Sequence, residues 1–163
     1  MIPARTVLLS VTLALIVTAN VAHADLLAVG QDWREIPFEV VDQKPLLAVQ
    51  VGDTVGRMMF DTGTPDAVIL NRDAVPLPEG RFLAIGSAAS GQPVEVWLHD
   101  APAVQIDGQP FATAPALLSG NFGFVEVMFG PDYLGFVGTP AVEGGAFSLD
   151  YGRKVLTILR SDA

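Results

Sequence analysis

Asp61-Thr62-Gly63 sits in a break between two apolar β-type runs, Arg57-Met58-Met59-Phe60 before it and Val68-Ile69-Leu70 after it. A carboxylate flanked in this way loses much of its water, and an ion with little water needs donors close at hand. Thr62, Gly63 and Thr64 can supply them. Glycine permits a tight backbone reversal, and hydroxyl and backbone N–H groups in such a turn can point back at the acid. An acid held in a sharp, donor-rich turn can work as a general acid or base. The same residues also make a plain strand, turn and strand, with Asp61 doing no more than capping the turn.

Absent residue types narrow the chemistry. The chain has no cysteine and two histidines, His23 and His99. A thiol nucleophile and a cysteine metal site are therefore excluded. With His23 assigned to a leader (below), a histidine-rich zinc site is excluded too, and any Ser-His-Asp triad would have to use His99. No serine lies in the glycine pattern of a nucleophile elbow. His99, in Val96-Trp97-Leu98-His99-Asp100-Ala101, reads as a surface residue at a strand end. The hydrolytic chemistry that remains is carboxylate-based, with no metal and no cofactor expected, and Asp61 is its first candidate.

Residues 1–24 read as a secretory signal: Arg5 is a positive n-region, 6–18 an almost wholly apolar core, and Ala22-His23-Ala24 a small-x-small cleavage site. A membrane span needs about 20 apolar residues, and this core is shorter. Cleavage after Ala24 makes the expected protein periplasmic or secreted, with no membrane attachment. All 18 acidic residues follow the cleavage site, against 8 of the 9 basic ones, so the mature chain carries a formal charge near −10. Nucleic acid, which requires clustered Lys and Arg, is a poor partner for it.

Phe60-Asp61-Thr62-Gly63-Thr64 resembles the catalytic loop of the retropepsin-like aspartic peptidases, in which an apolar pair precedes Asp-Thr-Gly and then Ser, Thr or Ala. Tyr133-Leu134-Gly135 resembles that family's later apolar-apolar-Gly element. Ala146-Phe147-Ser148-Leu149-Asp150-Tyr151, the turn Gly152-Arg153-Lys154 and Val155-Leu156-Thr157-Ile158-Leu159 resemble its closing strands. The three matches come in the family's order over roughly residues 45–159. The departure is Asp132, which runs straight into Tyr133 where many relatives carry Asp-Gly; Thr64 keeps the hydroxyl of a Ser at its position and adds β-branching. The resemblance implies an all-β acid-protease barrel, closed in the retropepsin-like manner, with one short C-terminal helix. It also implies Asp61 as the catalytic acid, supported by Thr62, Gly63 and Thr64, and Leu134 and Gly135 bracing the site.

The elements that must position Asp61 follow from the rest of the chain. Residues 25–36 read as an N-terminal arm and 37–163 as one domain. Strands are expected at 37–41, 46–51 and 57–60, the last delivering Asp61 to its loop. Gly52-Asp53 and Asp107-Gly108 carry hairpin chemistry. Period-two runs punctuated by Gly and Pro, with no long 3.6-residue period, predict an all-β chain. Residues 82–85 and 94–98 flank a small-residue stretch, 86–93. That stretch is a surface hairpin tip or, by the resemblance, a flap over substrate with Ser90, Gly91 and Gln92 at its tip. Residues 122–129 are core or pocket lining. Thr139 and Pro140 predict the start of a brief helix that stops at Gly144.

A single Asp-Thr-Gly is half of what the resembling family uses, because its chemistry needs two facing carboxylates that share a proton. Asp66, Asp107, Asp132 and Asp150 are possible second acids, but none has the Thr-Gly context. A homodimer that brings two copies of Asp61 together is the simpler solution, with a polypeptide as substrate. The alternative is a non-catalytic exported β-domain of the same fold that binds peptide or a partner protein.

Overall fold

The computed structural model describes residues 26–27, 30–142 and 145–160. The leader, its cleavage site and the expected helix stop at Gly144 lie outside the described residues. The chain is all-β, with strands β1 (Trp33–Val41), β2 (Lys44–Val51), β3 (Thr54–Asp61), β4 (Val68–Asn71), β5 (Arg81–Ser87), β6 (Pro93–Asp100), β7 (Val104–Ile106), β8 (Gln109–Phe111), β9 (Ala116–Gly120), β10 (Tyr133–Gly138), β11 (Gly145–Asp150) and β12 (Val155–Arg160). One short α-helix, α1 (Glu126–Phe129), precedes β10. Pairing runs β11-β12-β1-β2-β3-β10-β4-β9-β6-β5, with the β7–β8 hairpin attached to β2.

Alternation of side chains decides which residues go inward. Along β1, Arg34, Ile36 and Phe38 are buried while Trp33, Glu35 and Pro37 face out. The strand therefore begins at Trp33, inside the expected arm and ahead of the expected start at Pro37. The expectation missed this because an arginine occupies the first inward position. Its guanidinium is satisfied there by the carbonyls of Leu26 (3.1 Å) and Ile106 (2.7 Å). Burial lowers the Arg34 pKa, and Asp107 nearby opposes the shift. At Pro37 the strand changes partners, from β12 over Trp33–Pro37 to β2 over Phe38–Val41. A residue without an N–H fits a break in the ladder.

The core lies against the inward residues of these strands. Ile36, Leu47, Met58, Ile106, Leu156 and Ile158 are fully buried. Each such side chain contributes about 1.5–3 kcal/mol by leaving water. On β3, Gly56, Met58 and Phe60 face this core and Arg57, Met59 and Asp61 face the other way. A second, smaller cluster of Leu46, Phe129 and Tyr133 includes partly buried Met59 and Phe136. It shares a face of the sheet with Asp61.

The brief helix expected after Thr139 is one 3-10 turn, Thr139–Ala141, with Gly138 rather than Thr139 at its cap and Pro140 inside it. Residues 122–129, read as core or pocket lining, divide. Phe129 is buried, Phe122 and Val125 are half-buried, and Val127 is 95% exposed.

Candidate active site

Strand β3 ends at Asp61 and the chain leaves the sheet through residues 62–67. It re-enters as β4, which is not beside β3. Strand β10 lies between them, parallel to β3 and antiparallel to β4. The loop therefore spans two strand spacings, about 9.5 Å, too wide for a hairpin turn and about right for six residues. β4 in turn pairs in parallel with β9. Asp61 thus stands at the end of a central strand, where an inserted strand from far along the chain props the loop open.

Within the loop the carboxylate has the expected donors. Gly63 N–H donates to Asp61 Oδ1 (3.0 Å) and the Thr64 hydroxyl to Oδ2 (2.9 Å). The Thr64 N–H closes the turn onto the Asp61 carbonyl (3.2 Å). Thr64 is buried and Asp61 half-buried, while Thr62 and Gly63 are exposed. Oδ2 is therefore held by a buried hydroxyl, and Oδ1 by an N–H on the exposed part of the loop. Gly63 does not take a positive φ, so its part here is the N–H it presents rather than an unusual backbone reversal.

The brace expected from Leu134 and Gly135 sits elsewhere on β10. Gly135 pairs with Met58 and Leu70. Its φ of +133° and its contact with the Ile69 carbonyl admit only glycine. Leu134 is fully buried in the main core. The residues against the Asp61 loop are three positions further along: Val137 pairs with Phe60 and Gly138 with Asp61. Gly138 N–H donates to the Ala67 carbonyl (3.0 Å). A side chain at Gly138 would run into the Asp66 carbonyl and come within 2.6 Å of the Thr64 carbonyl. Phe136-Val137-Gly138 repeats the apolar-apolar-Gly pattern of residues 133–135, so the sequence held two copies. The copy followed directly by Thr139-Pro140 is the one at the loop.

A clamp unmarked in the sequence holds the approach to β10. Arg57, two positions before Met59 on the Asp61 face, donates through Nε and Nη2 to both oxygens of Asp132 (2.7 Å each), through Nη2 to the Phe129 carbonyl (2.7 Å) and through Nη1 to Glu39 (2.9 Å). The Arg57 hydrogen bonds hold the Asp132 carboxyl below the usual carboxylate range. Asp132 is thereby committed to Arg57. Asp107 pairs with Arg34 (3.5 Å) and Asp150 accepts from the Arg153 N–H (2.9 Å). Of the four possible second acids, Asp66 alone lies in the loop itself, and burial raises its pKa.

The candidate flap is the β5–β6 hairpin, which extends from β9 at one end of the sheet. Ser90, Gly91 and Gln92 are all exposed at its tip. The tip is closed by Ala88 N–H to the Gln92 carbonyl and Gly91 N–H to the Ala88 carbonyl, each 2.8 Å. These bonds stay within the hairpin and join it to nothing in the Asp61 loop. Phe82 and Ile85 leave an apolar surface on β5.

His99 is not the surface residue that its strand-end position suggested. It is 6% exposed, with Nδ1 2.8 Å from the Pro78 carbonyl and Nε2 2.9 Å from Ser119 Oγ. A carbonyl accepts only, so Nδ1 carries a proton, and in the neutral ring the Ser119 hydroxyl then donates to Nε2. Ser119 is 1% exposed, which closes this pair to any substrate and makes it a structural link between β6, β9 and the loop before β5. Among the described residues no cluster of His, Asp or Glu has the makings of a metal site. An open groove of about 550 Å³, lined by Trp33, Glu35, Asp107 and Gln109 among others, shares no residue with the Asp61 loop.

No protein-family model matches the chain, and no curated protein is similar to it in sequence. Among solved structures it is similar to a retropepsin-like aspartic protease from Rickettsia conorii, at 15% identity and a TM-score of 0.45, over 78% of this chain and 89% of that one.

Proposed function

We propose that this protein is an exported aspartic endopeptidase, in which water is activated between the Asp61 carboxylates of two subunits. The observation that carries the reading is the Asp61 loop itself. It presents an Asp-Thr-Gly acid at a strand end, held by Gly63 N–H and the Thr64 hydroxyl, with Thr62 and Gly63 exposed on its outer side. An acid fixed by two donors and open on one side suits a shared, two-fold site. Two carboxylates brought this close share one proton. One then takes a proton from water while the other donates to the scissile carbonyl. The apolar leader supports export, and intact mass of secreted material beginning at Asp25 would establish it.

The test is digestion of a mixed peptide pool from pH 3 to 8, with the dimer monitored by light scattering and Asp61→Asn run alongside. Asn keeps the size of the side chain but cannot share a proton. The variant is expected to fold and dimerise, with turnover at background. The wild type should give a bell-shaped pH profile on the acidic side of neutrality. Equal activity in both proteins removes Asp61 from the mechanism. A confirmed dimer inactive in both forms favours the peptide-binding domain.

A further inference from the structure

The root of the β5–β6 hairpin carries a cluster of side chains that neither the Asp61 loop nor the core uses. Main-chain pairing of β6 with β9 stops at Val96, opposite Gly120. The hairpin continues past that point through the pairs Ile85–Glu95, Gly86–Val94 and Ser87–Pro93. Strand β5 also shifts register between Phe82 and Ala84, at the level where the support of β9 ends. An extra residue in one strand bends it and increases its twist. A bend placed where the neighbouring strand stops is a point about which this hairpin can swing.

Both faces of that root are gripped. On one, Val94 is buried against Gly120. On the other, Arg72, the residue after β4, reaches past β9 to β6. Its backbone N–H donates to the Gly120 carbonyl (3.0 Å) and its Nη1 to Glu95 Oε2 (3.0 Å). The guanidinium also lies over the Trp97 ring, 4.3 Å from its centre. The Trp97 indole N–H donates to the same Glu95 oxygen (3.1 Å), and Phe82 meets Trp97 edge-on at 5.4 Å. The Glu95 N–H is taken by the Asn121 side chain (2.7 Å). Arg72, Glu95 and Trp97 thus close a triangle of contacts at the bend. A guanidinium suits this place because it stacks on a ring and donates in its own plane at once. Solvent reaches the Arg72–Glu95 pair, which is 30% and 51% exposed, so its hold is modest.

We propose that Arg72 is a positioning residue for the β5–β6 hairpin. Its grip on Glu95 and Trp97 latches the arm in one pose, and its release lets the arm swing about the bend at Leu83. The consequence for peptide rests on the peptidase reading, in which this hairpin closes over substrate; the latch itself does not.

The chain has no cysteine, so two introduced ones can report the pose. Ala89→Cys near the exposed tip and Val55→Cys on β3, itself 73% exposed, carry spin labels. Labelled protein is diluted into unlabelled, so that only distances within one subunit are read. With Arg72 in place, one narrow distance is expected. Arg72→Ala should lose it for a broad distribution, and Arg72→Lys, which keeps the charge but not the planar fork, should fall between. Salt at about 1 M, which screens exposed pairs, should broaden the parent part of the way. Melting temperatures check that the variants are folded, and should fall only slightly because the pair is solvent-screened. In unlabelled protein, Arg72→Ala should raise KM for peptide more than it lowers kcat. A broadened distance in a protein that cleaves nothing would uphold the latch and count against the peptidase. An unchanged narrow distance in folded Arg72→Ala would overturn the proposal, whatever the activity.

Discussion

Gly138→Ala tests whether the crossing of β10 under the loop fixes Asp61. The added methyl would stand against the Asp66 carbonyl and 2.6 Å from the Thr64 carbonyl, where ordinary contact begins near 3.4 Å. Both neighbours are backbone atoms, so neither can turn aside as a side chain would. The loop must retreat by on the order of an ångström, or β10 must shift and break the pairing of Val137 with Phe60 and Val68. Overpacking of this kind costs about 1–3 kcal/mol. For a domain of this size that is a fall of roughly 4–12 °C in melting temperature. An ångström of misplacement at a reacting group can cost about 100-fold in rate, so peptide cleavage should fall further than the stability loss explains at a temperature where the variant is folded. Gly63→Ala is the contrast. Its methyl would meet only Asp61 Oδ1, at 3.4 Å, and the subunit should keep its stability. Thermal melts, with amide spectra of Thr64 and Ala67, decide the matter. A Gly138→Ala protein with wild-type stability and unmoved Thr64 and Ala67 amides would refute the reasoning.

Arg57→Met keeps an apolar stem but releases Asp132, Glu39 and the Phe129 carbonyl. Solvent around Asp132 screens the pair, so the expected loss is about 1–2 kcal/mol by urea denaturation at pH 7. Because Arg57 depresses the Asp132 pKa, the pair's contribution is present above the ordinary aspartate value and lost as pH falls through the lowered one. The gap between variant and wild type should therefore narrow in acid, and a gap that stayed constant would contradict the pairing. Asp66 has the opposite sign. Burial raises its pKa, so its contribution is full below the ordinary aspartate value and is lost as pH rises through the folded one. Asp66→Asn should be the more stable protein at pH 7 and should lose that advantage near pH 3; equal melting temperatures at pH 7 would show that the buried charge costs nothing.

The sequence alone carried the strands and the acid. Apolar β-type runs marked strands at residues 46–51 and 57–60, the Gly52-Asp53 and Asp107-Gly108 turns marked hairpins, and the missing cysteines left carboxylates as the reactive groups. These are local properties, written in neighbours a few residues apart. The donors to Asp61 were legible for the same reason, since Gly63 and Thr64 lie within three residues of it. Pairing between distant strands is not local. A period of two says which side chains share a face but not which strand lies alongside, so nothing in residues 54–71 announced that β10 would enter between β3 and β4. That insertion chose Phe136-Val137-Gly138 over the matching triplet three residues earlier, because it alone falls opposite Asp61. Packing across the sheet likewise buried His99 on Ser119, committed Asp132 to Arg57 and set Tyr133 on the acid's face. Each of these depends on desolvation by chain more than twenty residues away or on contact across the sheet, which the three-dimensional packing creates and the order of residues does not display.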